Sequence, residues 1–320
     1  MTTLIHSPPY SLKKVSQQIS KVTGYQVLDK TTWTKDDIII ISNPDDFMAR
    51  VIALNFRRVK AIYSVMEGTS INFRTIDHIS NWSNMYGIKV FTPSKYSKFY
   101  HDLQNFNNVE VLHHGIETPN QINNRYPDKK IFGYISAYME RKYPKFLEET
   151  FKRTQNVYYH IKTSKNNPFN QYFKKVDTEI YQDKPISDYY LNIDVYVNFS
   201  NGGGFEMTPL EAISYGIPTI IPDIPLFRET ILQYWNNYPL LVKGNNDYYI
   251  WKCCNFAIVC WNYDAIDLAN IINNINDMNK EQYYNLKQTF IEKGIPMVKE
   301  HYPLSLYERF KQIELCQLGH

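Results

Sequence analysis

The stretch from Asp194 to Asp223, DVYVNFSNGGGFEMTPLEAISYGIPTIIPD, constrains the fold of this chain more than any other. Asp194-Val195-Tyr196-Val197-Asn198-Phe199 is a short apolar run bounded by turn residues, as in a buried strand, and Ser200-Asn201-Gly202-Gly203-Gly204 cannot continue it. Thr208 as N-cap, Pro209 at the first helical position and Glu211 three residues after the cap compose a capping box. That predicts a helix over Pro209 to Tyr215, stopped by Gly216 and Pro218. A strand, three glycines and a helix N-terminus in this order make an anion site. The loop lets backbone approach closely, and its N–H groups and the positive end of the helix dipole favour a phosphate. Glu211 fits two roles, a carboxylate balancing the dipole in the first turn or a group that contacts a ligand.

Strand-length and helix-length segments alternate through the rest of the chain. Ser11 to Val22 carries Leu12, Val15, Ile19 and Val22 at helical spacing and stops at Gly24. Asp37 to Ser42 and Val59 to Met66 read as buried parallel strands, with a helix over Asp45 to Phe56 between them. A helix over Ile71 to Met85, a strand over Ile88 to Thr92, a helix over Lys95 to Phe106 and a strand over Val109 to His113 follow. Asn120 to Lys129 is polar and turn-rich, and a domain boundary is expected there.

A second series begins with a strand over Ile131 to Ser136 and a helix through Phe146, Leu147 and Phe151. Strands over Val157 to Ile161 and near Val176 to Ile180, and a helix over Ser187 to Asn192, lead into the opening stretch. After it come a helix over Pro225 to Tyr234, a strand over Leu240 to Val242, and helices over Ala265 to Met278, Glu281 to Glu292 and Leu304 to Leu318. Asp247 to Trp261 is longer than the usual connection and fits no element of the series. Such alternation implies open parallel sheets with helices on both faces. A chain of 320 residues with 43% hydrophobic content is enough for two α/β domains, each with its own core.

Gly204-Phe205-Glu206-Met207-Thr208-Pro209-Leu210-Glu211-Ala212 followed by Gly216-Ile217-Pro218 resembles the donor-site signature of the family 4 type of retaining, nucleotide-sugar-dependent glycosyltransferases. The resemblance implies two Rossmann-like domains facing across a cleft, the GT-B fold. The donor would sit on the second domain and the acceptor on the first. It assigns the ribose of the nucleotide to Glu211. Backbone from Gly203 and Gly204 through Phe205, Met207 and Thr208 would meet the diphosphate and sugar. The family's first glutamate falls on Gly203, and Glu206 replaces the second glycine of Gly-Phe-Gly; Glu206 is the catalytic candidate on the donor side, reaching the sugar hydroxyls if the loop turns it inward and pointing to solvent if it does not.

Further landmarks are similar. Ile131 to Ser136 with Glu140-Arg141-Lys142-Tyr143 resembles the segment in which an arginine and a lysine neutralise the donor diphosphate. Lys142 aligns with the family lysine, and Arg141 would compensate for the arginine missing at Ser136 by reaching a phosphate bidentately, a solvated helix start being the plain alternative. Two cations at a helix start oppose its dipole, which also favours a bound anion. Val90 to Lys95 and Val109 to Glu117 resemble the strand-to-Ser turn and the strand ending in Gly-Ile-Asp. His113 and His114 in the latter are read as structural. The resemblance runs over about residues 36–312, and it implies domains at 1–124 and 125–300, with 301–320 a helix returning to the first. The family's glycine-rich loop near the N-terminus is missing, and His6-Ser7-Pro8-Pro9-Tyr10 stands in its place.

Glu67, beside Gly68 at the carboxyl end of a strand, is the acceptor-side candidate for catalysis, where ligands of open parallel sheets gather. An exposed loop carboxylate is the plain alternative. The net charge of +3 conceals an asymmetry, because residues 1–100 hold 13 Lys or Arg against 7 Asp or Glu. A basic first domain suits an acidic or glycan acceptor, a lipid-linked phosphate or peripheral contact with a membrane, and leaves nucleic acid as a less favoured partner. Solvated lysines account for it equally well.

No apolar run approaches the roughly 20 residues of a spanning helix, so a cytoplasmic protein is expected, peripheral to a membrane at most. Cys253, Cys254 and Cys260 have no metal-ligand spacing with histidines, and no metal is assigned. The reading is a retaining, metal-independent hexosyltransferase using a UDP- or GDP-type sugar as co-substrate, with no other cofactor. A non-catalytic nucleotide-sugar binder and a glycosyltransferase acting on DNA are the alternatives.

Overall fold

The computed structural model describes residues 3–6, 11–28, 35–42, 56–66, 69–70, 80–135, 146–154, 156–162, 176–179, 186–253 and 256–317. Two compact units share the chain. Residues 1–115, 252–258 and 302–320 cluster in one, residues 116–251 and 259–301 in the other.

The first unit is built on six parallel strands: β1 (Thr3–His6), β2 (Gln26–Leu28), β3 (Asp37–Ser42), β4 (Val59–Ser64), β6 (Lys89–Thr92) and β7 (Val109–Val111). They run in the order β2-β1-β3-β4-β6-β7. Ile38 to Ile41 in β3 are all buried, an unbroken apolar run rather than an alternating one, as a strand covered on both faces requires. Ile38, Ile40, Val59, Ile62, Val90, Tyr100 and Phe106 form one core cluster. The short strand β5 (Thr69–Ser70) pairs antiparallel with Phe256 and Ala257.

Helix α1 (Ser11–Thr23) buries Leu12, Val15 and Ile19, and ends at Gly24 with φ 80°, where glycine carries no Cβ penalty. Helix α2 (Lys95–Leu103) is capped by Ser94, whose side chain accepts from the Ser97 N–H at 2.9 Å. Ser97 Oγ in turn accepts from the Met66 N–H at 2.8 Å, fixing the chain just before the Glu67 position. The helical end of the chain packs here. Gly115 N donates to Tyr307 Oη at 3.0 Å, and Phe310 meets Phe91 edge-on with ring centroids 5.1 Å apart. A Cβ at Gly115 would stand 3.0 Å from Leu304 Cα, so glycine is needed for this close approach.

β1 and β2 are absent from the sequence reading. Thr3-Leu4-Ile5 and Gln26-Val27-Leu28 are each too short to announce themselves, and they become strands because β1 pairs with both β2 and β3. The expected helix over Asp45 to Phe56 lies outside the described residues except for Phe56, which opens a short 3-10 turn (Phe56–Arg58), and most of that over Ile71 to Met85 lies outside them too.

The second unit has a parallel sheet of β8 (Ile131–Ile135), β9 (Tyr158–Lys162), β10 (Val176–Glu179), β11 (Val195–Val197), β12 (Thr219–Pro222) and β13 (Leu241–Val242). The order is β10-β9-β8-β11-β12-β13. Counted from β8 this is 3-2-1-4-5-6, the doubly wound order of dinucleotide-binding sheets, which reverses direction between β8 and β11. Covering helices include α3 (Leu147–Arg153), α4 (Ile186–Asn192), α5 (Met207–Ser214), α6 (Ala265–Asp277) and α7 (Lys280–Thr289). Asn279 and Gln282 make a full capping box at the start of α7.

The amino end of β11 is tied down by polar groups. Asp194, fully buried, accepts from Arg125 Nε at 2.9 Å and from the Ile131 N–H at 2.8 Å. Lys287 Nζ donates to Asn123 Oδ1 at 2.7 Å and to Arg125 O at 2.9 Å, while Asn123 Nδ2 donates to Tyr190 O and Ile193 O. No helix among the described residues is long and apolar enough to cross a membrane.

The described residues of the segment Asp247 to Trp261, unassigned from sequence, belong to two long strands, β14 (Gly244–Cys253) and β15 (Phe256–Tyr263), which are neighbours in one sheet. Its two β-rich runs, Tyr248-Tyr249-Ile250-Trp251 and Phe256-Ala257-Ile258-Val259, are a hairpin signal that the strand–helix alternation overshadowed.

Candidate functional site

The reversal of strand order in the second unit lies between β8 and β11, and sheets of this kind bind ligands beyond the carboxyl ends of their strands at such a point. The loop after β11 is the glycine-rich segment. Strand β11 reaches it by pairing Val195 with Phe132 and Tyr196 with Gly133 on one side, and Tyr196 with Thr219 on the other. Gly133 is required here, since a Cβ would lie 2.5 Å from Ile193 Cδ1 and 2.8 Å from Tyr189 Oη.

Asn198 continues the sheet through its N–H to Ile220 O at 3.0 Å, and its side-chain Nδ2 donates to Ser200 O at 3.2 Å. Ser200 Oγ stands 3.1 Å from Glu206 Oε1 and 3.0 Å from Gly202 O, so its single proton has both as acceptors. Gly203 has φ 140°, a conformation that side-chain-bearing residues rarely adopt. Gly202 backs onto β15, where a Cβ would come within 2.9 Å of Val259 O. The hairpin holds the loop from that side. Trp261 N donates to Asn201 O at 2.8 Å, Asn201 Nδ2 to Tyr249 Oη at 3.2 Å, and Tyr263 Oη to Phe199 O at 2.8 Å.

Helix α5 begins at Met207, two residues before the expected start, with Glu206 at the N-cap position and no side-chain capping bond. The capping box over Thr208 and Glu211 is therefore not formed. Both side chains are engaged by tyrosines instead. Thr208 Oγ1 accepts from Tyr196 Oη at 2.7 Å, and Glu211 Oε2 accepts from Tyr190 Oη at 2.8 Å. The backbone N–H groups of a first helical turn have no intrahelical acceptor, so this turn is a donor set of the kind that suits a phosphate. The expected end holds. Gly216 adopts φ 72°, and Ile217 N closes back on Ala212 O at 3.2 Å.

Glu206 and Glu211 are both largely buried, at 9% and 6% exposure, so neither is a solvated surface carboxylate. Tyr190 is fully buried, and its phenol is raised well above the ordinary range, first by burial and then by the Glu211 charge. The Tyr190 ring stacks on Tyr215, centroids 5.1 Å apart at 27°.

Gly203, Gly204, Phe205, Glu206, Met207, Thr208 and Glu211 are thus brought together on one loop and the first two turns of α5. Glu67, Arg141 and Lys142 lie outside the described residues. The sequence reading did not single out Ser200, Tyr190 or Tyr196. Ser200 was legible as a polar neighbour of the glycines, but the tyrosines carry no sequence signal, because their hydroxyls arrive from α4 and β11 only in the folded sheet.

His113 and His114 are taken up in packing of the first unit. His113 Nδ1 donates to Pro93 O at 2.7 Å. His114 Nδ1 is 3.0 Å from Tyr63 Oη, and burial, reinforced by the neighbouring His113, lowers its pKa to about 3. The Cys260 thiol is buried, and the described residues contain no cluster of His, Cys, Asp and Glu able to hold a metal.

No family model and no curated protein matches the sequence. Solved structures do. The crystal structure of Anabaena HepE in complex with UDP is 13% identical, with TM-score 0.68, covering 99% of this chain and 100% of that one. WaaG, a glycosyltransferase involved in lipopolysaccharide biosynthesis, is 9% identical with TM-score 0.62, covering 98% of this chain and 99% of its own. TarM of S. aureus is 15% identical with TM-score 0.62 over 93% of this chain, which spans 58% of the length of TarM. At such identities the likeness establishes the fold alone. The chain has the fold of the GT-B glycosyltransferases.

Proposed function

We propose that the chain is a retaining glycosyltransferase that transfers a hexose from a UDP- or GDP-type nucleoside diphosphate sugar. The observation that carries this reading is the placement of a buried carboxylate, Glu211, in a helix that opens from a glycine-rich loop at the strand-order reversal of a 3-2-1-4-5-6 sheet. HepE, whose fold this chain has, was crystallised with UDP and with UDP-glucose.

In this reading Glu211 accepts from the ribose hydroxyls. Backbone N–H groups from Gly203 and Gly204 through Phe205, Met207 and Thr208 meet the diphosphate, and Arg141 and Lys142 neutralise it. Glu206, oriented by Ser200, takes sugar hydroxyls in place of the glutamate that the family has at position 203, and Glu67 serves the acceptor side. The C1–O bond to the diphosphate breaks as the acceptor oxygen bonds to C1 on the same face, and the departing phosphate oxygen accepts the acceptor's proton. Helix N-terminus, Lys142 and Arg141 meet the charge that develops on the diphosphate, so the step as written calls on no metal. Acceptors that suit the basic first hundred residues are glycans bearing acidic groups and lipid-linked phosphates at a membrane surface.

A second reading, a nucleotide-sugar binder without transfer, is favoured by one observation, the glycine at position 203 with φ 140°. Calorimetry and thermal melting of the purified protein with a panel of UDP- and GDP-sugars test the proposal. Binding with slow release of free sugar, accelerated by an acceptor, is the expected result. Binding without hydrolysis or transfer under any acceptor supports the second reading, and no binding to any nucleotide defeats both. A ligand at one hundred times its Kd raises apparent stability by about 2.7 kcal/mol, which is ample to detect.

A further inference from the structure

Glu211 is held from outside its own helix. Its Oε2 accepts from Tyr190 Oη at 2.8 Å, and Tyr190 belongs to α4, a different element of the same unit. The same hydroxyl lies 3.3 Å from Thr208 O, so the shorter contact goes to the charged group, as charge-assisted bonds do. The tyrosine ring is itself clamped. It stacks on Tyr215 at the carboxyl end of α5 and lies 6.3 Å from the Tyr196 ring, and Tyr196 Oη donates to Thr208 Oγ1. A glutamate three flexible torsions long is thereby fixed from a rigid phenol before any ligand arrives.

We infer that Tyr190 is a positioning residue for nucleotide recognition: its hydroxyl presets the Glu211 carboxylate for the vicinal hydroxyls of a ribose. The inference rests on the proposed ribose role of Glu211. A carboxylate whose rotamer is set in advance spares the ligand the cost of ordering it. Because burial and the adjacent carboxylate raise the phenol's pKa, Tyr190 stays a proton donor throughout the working pH range. Tyr190 touches no part of the nucleotide in this account and acts only through Glu211.

The test compares UDP with 2′,3′-dideoxy-UDP, and GDP with its dideoxy form, by calorimetry on the full chain. The variants are Tyr190→Phe, Glu211→Ala, the double variant and Tyr196→Phe. The parent is expected to prefer the ribose form. Tyr190→Phe keeps the ring stack and should lose about threefold to tenfold in affinity for the ribose form, with the dideoxy form unchanged. The double variant should match Glu211→Ala, since Tyr190 has nothing left to position. Tyr196→Phe, which keeps the ring and removes the bond to Thr208 rather than the one to Glu211, should leave the preference as it was.

Equal losses for both nucleotide forms, or losses that add in the double variant, overturn the inference. So does a Tyr190→Phe protein indistinguishable from the parent while Glu211→Ala has lost its preference, and that outcome leaves the ribose role of Glu211 intact. A parent that ignores the ribose hydroxyls, or a Glu211→Ala variant that keeps the preference, overturns the ribose role and this inference with it. Should Tyr190→Phe melt too low to titrate, Glu211→Asp examines the same link from its other end. One methylene shorter, the carboxylate cannot serve Tyr190 and ribose together, and an unchanged preference would again overturn the inference.

Discussion

Ser200 Oγ and Glu206 Oε1 stand 3.1 Å apart inside the glycine-rich loop, and this contact turns Glu206 inward where the sequence left its direction open. A carboxylate at 9% exposure beside the start of α5 is within the loop that receives the donor in the proposed reading. Glu206→Gln is therefore expected to lower turnover and reduce the preference for a sugar-bearing donor over the free nucleoside diphosphate. A lost hydrogen bond to a charged group sets the size at roughly 1.5–3 kcal/mol. Ser200→Ala should give a weaker version of the same loss. Calorimetry with the diphosphate and its sugar conjugate decides it, and variants with the parent's discrimination and kinetics would show that Glu206 is a structural cap.

Restoring the family's glutamate should fail. Gly203 adopts φ 140°, and a side chain there carries strain of about 1–3 kcal/mol. Gly203→Glu is expected to melt several degrees lower without gaining preference for the sugar conjugate. A stable variant that prefers the conjugate more strongly than the parent would mean that the loop re-forms in the family's conformation.

Arg141→Ala and Lys142→Ala should weaken binding of the diphosphate while leaving the nucleoside nearly unaffected, because the proposed partner is phosphate charge. The loss should shrink as salt rises. Equal losses for the two ligands contradict the assignment.

Much of this architecture can be read from the chain because parallel strands buried on both faces announce themselves as unbroken apolar runs, as Ile38 to Ile41 and Val195 to Val197 do. The loop and the two glutamates were legible for a related reason, since glycine triplets and helix starts are local signals. What stayed hidden is contact between distant segments. The capping box at Thr208 was a sound local inference, defeated by Tyr190 and Tyr196, whose hydroxyls reach Glu211 and Thr208 from 21 and 12 residues away. Strands β1 and β2 were missed because three- and four-residue runs become strands only through their neighbours. The hairpin Gly244–Tyr263 was missed because it interrupts the strand–helix alternation that organised the rest of the reading.

Lys287 gives a pH prediction remote from the nucleotide. Its side chain is buried, and burial is the largest influence on it, opposed by the Asp194 charge and aided by Arg125. Together they lower its pKa to about 8. An unfolded lysine titrates near 10.4, so between roughly pH 8 and that value the unfolded chain binds more protons than the folded one. Stability from this group must then rise with pH across that window, the reverse of the behaviour of a lysine gaining an acidic partner. Tyrosines such as Tyr190 and Tyr283, whose folded pKa values are raised, begin to cost stability only as the pH passes their unfolded values near 10. The clean interval is therefore about pH 8 to 9.5. Denaturant unfolding of the parent across it should show a rise that Lys287→Met abolishes, while at pH 7 the variant also loses the bonds to Asn123 Oδ1 and Arg125 O. Parallel pH profiles for parent and variant would mean that Lys287 keeps an ordinary pKa in the folded chain, and that its two hydrogen bonds compensate its burial in full.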